Sequence, residues 1–280
     1  MVPRELQLNY LERDCPSCEK PAALAAPDLR SEEAAETLGY PALKPSWHGF
    51  FQKKVFFSYA RCPDCGLLFC PTFFQNPQLA ELYSEMPDNT AGQPMSAMKR
   101  TQAGYFSFLE PHLRGAVPLS GGFLEIGADI GLFTELAVAR NRFDRFHIVE
   151  PNRAVHGKLE QVLGARPHQI LTDLFDLSAV PDHSIGLAAM IHLLARILRR
   201  RWPAYCLQHP QLFRPSSMRE TLGRAGFRTL AVERTYNYFP ALYLLEHGLW
   251  AAGIKARGLS KVPSPQLPLR LGNILTLARA

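Results

Sequence analysis

The sequence predicts an α/β fold, a doubly wound and mostly parallel sheet preceded by a small cysteine-rich N-terminal module. Three observations predict it. Apolar strand-like runs alternate with helical segments from residue 120 to about 192. A glycine-bearing turn joins the first of these strands to the first helix, in Phe123-Leu-Glu125-Ile-Gly127-Ala-Asp129-Ile-Gly131-Leu-Phe-Thr. Ahead of both stand two Cys-x-x-Cys pairs, Cys15/Cys18 and Cys62/Cys65.

The elements follow from local pattern. Residues 1–75 hold both Cys pairs, several prolines and short β-like runs such as Lys54–Tyr59. Residues 76–117 read as a helical connector. Gln78–Ser84 is a short helix and Asp88–Gln93 a loop. Ala97–Leu113 carries Tyr105, Phe106, Phe108 and Leu109 at helical spacing and is interrupted by Pro111. From 118 to 280 an α/β domain is expected. Gly122–Ile126, Phe146–Val149 and His168–Leu171 are its first three strands, with helices at Gly131–Arg140 and Ala154–Leu163 between them. Ile185–His192 reads as the fourth strand, although Ile185–Arg201 has no proline and a single helix there is the competing assignment. A helix at Ser216–Ala225 and strands at Phe227–Thr235 and Gly272–Leu277 complete the chain.

Bulk properties narrow the class. Hydrophobic residues make up 47% and charged residues 20% of the 280 positions, enough apolar material for a core and too little charge bias for disorder. Apolar runs are too short or too interrupted to span a bilayer, and Met1-Val-Pro-Arg-Glu has no apolar signal region, so a cytoplasmic protein without a membrane partner is expected. A net charge of +6 permits nucleic-acid contact without demanding it.

Six cysteines are present, four of them in the two matched turns. In a cytosolic chain such pairs suggest metal ligands before disulfides. Each turn offers two thiolates, and a tetrahedral zinc ion takes four. Proline follows the first cysteine in both turns, and Gly66 relaxes the backbone after the second. The stretch from Cys18 to Cys62 is longer than the roughly 15–20 residues of a compact ribbon, so Cys70 and His48 are substitute-ligand candidates. Four cysteines close a zinc site against substrate, which makes its role one of folding.

The glycine turn fails as a dinucleotide fingerprint. Counted from Gly127, the second and third glycine positions hold Asp129 and Leu132. An acidic loop opposes a pyrophosphate and suits a phosphate-free ligand carrying a sulfonium and an ammonium group. Glu150 ends the second strand at roughly the 20-residue offset where a carboxylate accepts both ribose hydroxyls.

These residues resemble the class I S-adenosylmethionine-dependent methyltransferases that carry an N-terminal zinc-binding domain, a group that includes deoxysugar C-methyltransferases. The resemblance runs through Arg61-Cys-Pro-Asp-Cys-Gly-Leu-Leu-Phe69 and Leu79–Tyr83, the cofactor loop Leu124–Gly131, Val149-Glu-Pro-Asn152, His209-Pro-Gln-Leu-Phe213, Ser216–Leu222 and Ala225-Gly-Phe227. It implies a Rossmann-like domain and S-adenosylmethionine and zinc as cofactors. Glu125, Gly127, Ala128, Asp129, Gly131 and Glu150 are then the cofactor-binding residues, with Asp173 near the adenine. Cys15, Cys18, Cys62 and Cys65 are the metal ligands. A small-molecule substrate, a sugar or natural-product intermediate, is expected.

The chain departs from that family between Glu150 and Phe227. Four helices and three strands need roughly 90 residues, more than this stretch provides. One helix–strand unit is expected to be missing near His192/Leu193, leaving the sheet abridged. His192 occupies the position just past the fourth strand where the family places an acid/base group, and a histidine there can take a substrate proton. Tyr205 and His209 lie in the other segment expected to face substrate. The abridgement also admits a pseudoenzyme that binds cofactor without turnover. An RNA methyltransferase would use Arg196, Arg199, Arg200 and Arg201 as a nucleic-acid surface, but no interleaved aromatic platform accompanies them, so a nucleic-acid partner is not expected. Tyr236–Pro240 and Tyr243–Trp250 suit a substrate pocket, a core or a homodimer face.

Overall fold

The structure is a computed structural model that describes residues 10–47, 55–86, 94–114, 121–174, 176–190, 205–251, 254, 258–270 and 274–279. The N-terminal part contains strands β1 (Leu11–Glu12), β2 (Ala26–Leu29) and β3 (Glu33–Ala34), helix α1 (Tyr40–Leu43), and strands β4 (Val55–Phe56), β5 (Tyr59–Arg61), β6 (Leu68–Phe69) and β7 (Thr72–Phe73). Helices α2 (Asn76–Ser84) and α3 (Met95–Arg114) follow. The α/β stretch is β8 (Gly122–Ile126), α4 (Leu132–Ala139), β9 (Phe146–Val149), α5 (His156–Leu163), β10 (His168–Leu171) and β11 (Ile185–Met190). The remainder is β12 (Gln211–Leu212), α6 (Pro215–Arg224), β13 (Arg228–Arg234), β14 (Asn237–Pro240), α7 (Ala241–Ala251), β15 (Gln266–Leu269) and β16 (Ile274–Arg279). Among the described residues no helix is long and apolar enough to cross a membrane.

The chain divides into two compact units that do not follow sequence order. The first takes the described residues within Met1–Leu82, Leu193–Thr235 and Leu271–Ala280, the second those within Tyr83–His192 and Tyr236–Arg270. The expected division at 75 and 117 therefore cuts across the contacts. Part of the expected 118–280 domain packs with the cysteine module instead, because β12 pairs with β6 and so joins the sheet β12-β6-β5-β2. Strands β13 and β16 pair antiparallel with each other in this same unit.

The second unit is built on a parallel sheet of order β10-β9-β8-β11. Strand β8 is apolar except for Glu125 and lies at a central position, and Phe123, Leu124 and Glu125 are all buried. That is the pattern of a parallel strand covered on both faces. Phe123 packs its ring on Phe146 of β9 at 5.7 Å and on Phe143 at 5.3 Å. Phe106 of α3 meets Phe133 of α4 at 5.3 Å. Strands β9 and β10 lie on one side of β8 and β11 on the other, which places the reversal of strand order between β8 and β11, where crevices at the carboxyl ends of such sheets form.

Ile185–Met190 is a strand, in parallel register with Gly122–Ile126. The single-helix assignment for Ile185–Arg201 is thereby overturned over these six residues, since ladder pairing to a buried neighbour outweighs helix propensity. No fifth parallel strand occurs among the described residues, and His192/Leu193, where the missing unit is expected, lie outside them. Pro111 does not interrupt α3, which continues to Arg114, because proline's fixed φ is itself helical. Strands β14 and β15 form an antiparallel pair across α7. Tyr105 of α3 donates its hydroxyl to Asn237 Oδ1 (2.8 Å), and Tyr238 N donates to Thr101 Oγ1 (2.9 Å), so this aromatic segment packs onto α3.

Candidate functional site

The glycine loop leaves the carboxyl end of β8 and is fastened to the end of β9. Gly127 N donates to the Val149 carbonyl (2.8 Å), and Glu150 N donates to the Leu171 carbonyl (2.8 Å). Gly127, Asp129 and Gly131 have φ of +75°, +51° and +77°. Glycine adopts this left-handed region without penalty, whereas Asp129 is a non-glycine residue held there. A Cβ on Gly127 would point into open space, while one on Gly131 would come within 2.8 Å of Leu159 Cδ2. Gly127 thus leaves room for a ligand against the backbone, and Gly131 lets α4 and α5 approach.

Two carboxyl groups sit beneath this loop. Glu150 is 6% exposed; Asp129 N donates to its Oε2 (2.7 Å) and Asn152 N to its Oε1 (2.9 Å). Each oxygen has one acceptor position used by these contacts and one more to offer, which matches the two hydroxyls of a ribose. Burial pushes the Glu150 carboxyl above its ordinary range, against the two backbone N–H donors that lower it. Glu125 is 2% exposed and accepts from Thr134 Oγ1 at 2.5 Å. Burial raises its pKa to about 8, with the Thr134 hydroxyl lowering and the charge of Glu150 raising it.

The other expected cofactor residues have definite places. Ala128 is buried and its carbonyl accepts from Gly131 N (2.9 Å). Asp173 is exposed just past β10. Three contributors were not singled out from sequence. Thr134 meets Glu125, Asn152 holds Glu150 through its N–H and caps Ala154 N through Oδ1 (3.0 Å), and His156 Nε2 lies 2.8 Å from the Glu150 carbonyl. Asn152 carries a legible signal, since asparagine commonly bonds to a backbone N–H two residues on. Thr134 carries none, because only the packing of α4 on β8 brings it to Glu125.

The four cysteines of the two turns converge. Their sulfurs lie within 4.8 Å of one another, with Cys18–Cys62 at 3.4 Å, Cys15–Cys65 at 3.6 Å and Cys18–Cys65 at 3.7 Å. Metal–sulfur bonds of about 2.3 Å in a tetrahedron set sulfur–sulfur edges of about 3.8 Å. The donor set therefore fits a metal ion, and all four thiols are free of disulfide bonds. Burial raises the Cys15 and Cys18 thiols; burial also raises Cys62, but the backbone N–H groups of Cys65 and Asp64 together with the Cys18 and Cys65 side chains bring it below its ordinary value. Cys70 is outside the cluster and donates to the Phe57 carbonyl (3.5 Å), so it is no substitute ligand here. His48 lies outside the described residues.

Of the acid/base candidates, His192 lies outside the described residues, as do Arg196, Arg199, Arg200 and Arg201. Tyr205 is fully buried in the cysteine-bearing unit, its ring 5.4 Å from Tyr59 and 5.9 Å from Phe56. That environment is a packed aromatic core. His209 belongs to the same unit, with Nδ1 3.2 Å from Cys206 Sγ and its carbonyl accepting from the Tyr59 hydroxyl (2.5 Å). The glycine loop belongs to the other unit.

No family model and no curated protein matches this chain. Among solved structures, a SAM-dependent methyltransferase of the DUF858 family from Leishmania major is similar at 12% identity, over 58% of this chain and 76% of that one, with a TM-score of 0.40.

Proposed function

We propose that this chain is an S-adenosylmethionine-dependent methyltransferase acting on a small molecule, a Rossmann-like cofactor domain with a zinc-stabilised cysteine module. One observation carries the cofactor assignment. Glu150 is held against the loop by Asp129 N and Asn152 N, with an acceptor position left on each oxygen, beside the open face of Gly127. The acidic loop and its left-handed Asp129 support a cationic ligand over a pyrophosphate. When bound, the cofactor supplies an electrophilic methyl group. The chain's own part is to hold the ribose at Glu150 and to let the ligand lie against Gly127, so that alignment contributes much of the rate. Zinc in the four-thiol site is structural, for it leaves no open coordination position. A sugar or natural-product substrate rests on the family resemblance of the sequence.

Calorimetry with S-adenosylhomocysteine tests this. The intact protein is expected to bind it, and Glu150→Ala to weaken binding at least about tenfold, the scale of a lost hydrogen bond to a charged group. Glu150→Gln, which keeps an acceptor and the shape, separates lost recognition from a disturbed loop. Absence of binding by the intact protein, or tighter binding of NADH, overturns the assignment.

The pseudoenzyme alternative is favoured by one observation, the end of the described parallel sheet at four strands. Cofactor binding without methyl transfer to any candidate acceptor selects it.

A further inference from the structure

We propose that the four-thiol site is a latch, in which a bound metal ion fastens the segment His209–Thr221 to the cysteine module. The proposal rests on the four thiols holding a metal. The first turn is tied to the segment at two places. Arg13, just ahead of Cys15, donates from Nη2 to the Pro210 carbonyl (2.7 Å) and from Nη1 to Gln211 Oε1 (3.3 Å). Its Nε donates to the Cys70 carbonyl (2.8 Å), which joins the same three stretches at one guanidinium. Ser17, inside the turn and buried, has its hydroxyl 2.6 Å from that of Thr221.

The second turn grips the same segment from its other flank. Leu68 and Phe69 pair with Leu212 and Gln211, and Cys70 N donates to the Pro210 carbonyl (2.8 Å). Phe213 packs against the cluster of Cys15, Cys62, Cys65, Leu67 and Phe69. The segment thus holds both turns at once.

Each turn is closed by its own backbone. Cys15 N donates to the Lys20 carbonyl (3.0 Å) and Cys62 N to the Leu67 carbonyl (2.9 Å). A metal does not make the turns; it fixes their separation. The segment selects that same separation because it touches both. Two binding events that favour one arrangement must strengthen each other by one common factor. His209 opens this segment, so loss of the metal releases that end of the stretch expected from sequence to face substrate.

The test is zinc affinity, measured on the full-length chain by competition with a chromophoric chelator. Thr221→Val is nearly isosteric and removes the hydroxyl that meets Ser17 and also donates to the Ser217 carbonyl (2.8 Å); Ser17→Ala removes the contact to Thr221 while leaving that helix bond; Phe213→Ala removes the packing. None alters a thiol. One zinc per chain is expected in the parent, with affinity weakened about fivefold or more in the variants, the lower range of measured couplings. Hydrogen exchange after chelation is expected to deprotect 209–221 together with Cys15–Lys20 and Cys62–Leu67. Zinc affinity within about twofold of the parent in all three folded variants overturns the latch while leaving the metal site standing. So does protection of 209–221 that survives zinc removal. A parent chain that binds no zinc overturns the metal assignment itself and the latch with it.

Discussion

Glu125 is a carboxyl group almost out of reach of water, and its burial has a pH signature. Its pKa rises from the ordinary 4.5 to about 8 in the folded chain. Between those values the folded state binds a proton that the unfolded state has released. Stability is therefore fully supported below the lower value and is lost as pH rises toward the upper one. Glu125→Gln, which stays neutral, is expected to melt at nearly the parent temperature near pH 5 and above it near pH 8. Equal melting temperatures of the two proteins across that window would show that Glu125 is ionised throughout. Glu125 was legible from sequence as part of the loop motif. Its neutral character was not, since it depends on how completely β9 and α4 cover it.

At the scale of elements, the strand–turn–helix of β8, the loop and α4 has two glycines with different duties. Gly131 adopts φ +77° where a Cβ would meet Leu159 Cδ2 at 2.8 Å. Gly131→Ala is expected to cost about 1–2 kcal/mol for the left-handed backbone alone, with further loss from separating α4 and α5. Gly127→Ala carries the same backbone strain but meets no neighbour within 4 Å. It is expected to be the milder of the two in urea unfolding and the more damaging in cofactor calorimetry. The reverse order would place the ligand away from Gly127. The strands of this region were legible to the residue at Gly122–Ile126, Phe146–Val149 and His168–Leu171, because each carries Phe, Ile, Leu or Val in a short stretch that alternates with helical segments. The β14–β15 pair was not, since Asn237–Pro240 finds its partner at Gln266–Leu269 across a helix and no local spacing encodes that pairing.

For the whole molecule, the two units are expected to respond separately to cofactor and to metal removal. In hydrogen exchange, S-adenosylmethionine is expected to protect Gly127–Gly131 and Glu150–Asn152. Chelation is expected to deprotect the two cysteine turns without altering the cofactor's protection of that loop. Deprotection of the loop by chelation would mean that the metal also supports the second unit. The partition itself was hidden in the sequence. Nothing in Gln211–Leu212 announces a partner as distant as Leu68–Phe69, and a two-residue strand has too little pattern to be found by periodicity.

The sequence by itself determined the parallel α/β core, the glycine turn with its acidic partners Glu125 and Glu150, and the four cysteines as one ligand set. Each of these is written in local spacing: a period, a turn dipeptide, a pair of thiols. The tertiary structure alone decided between the strand read at Ile185–His192 and the competing helix, in favour of a strand at Ile185–Met190, and decided that Glu125 is buried against Thr134 and that 205–224 folds with the cysteine turns. These depend on contacts between residues far apart in the chain, whose pairing is chosen by burial and hydrogen-bond satisfaction over the whole fold.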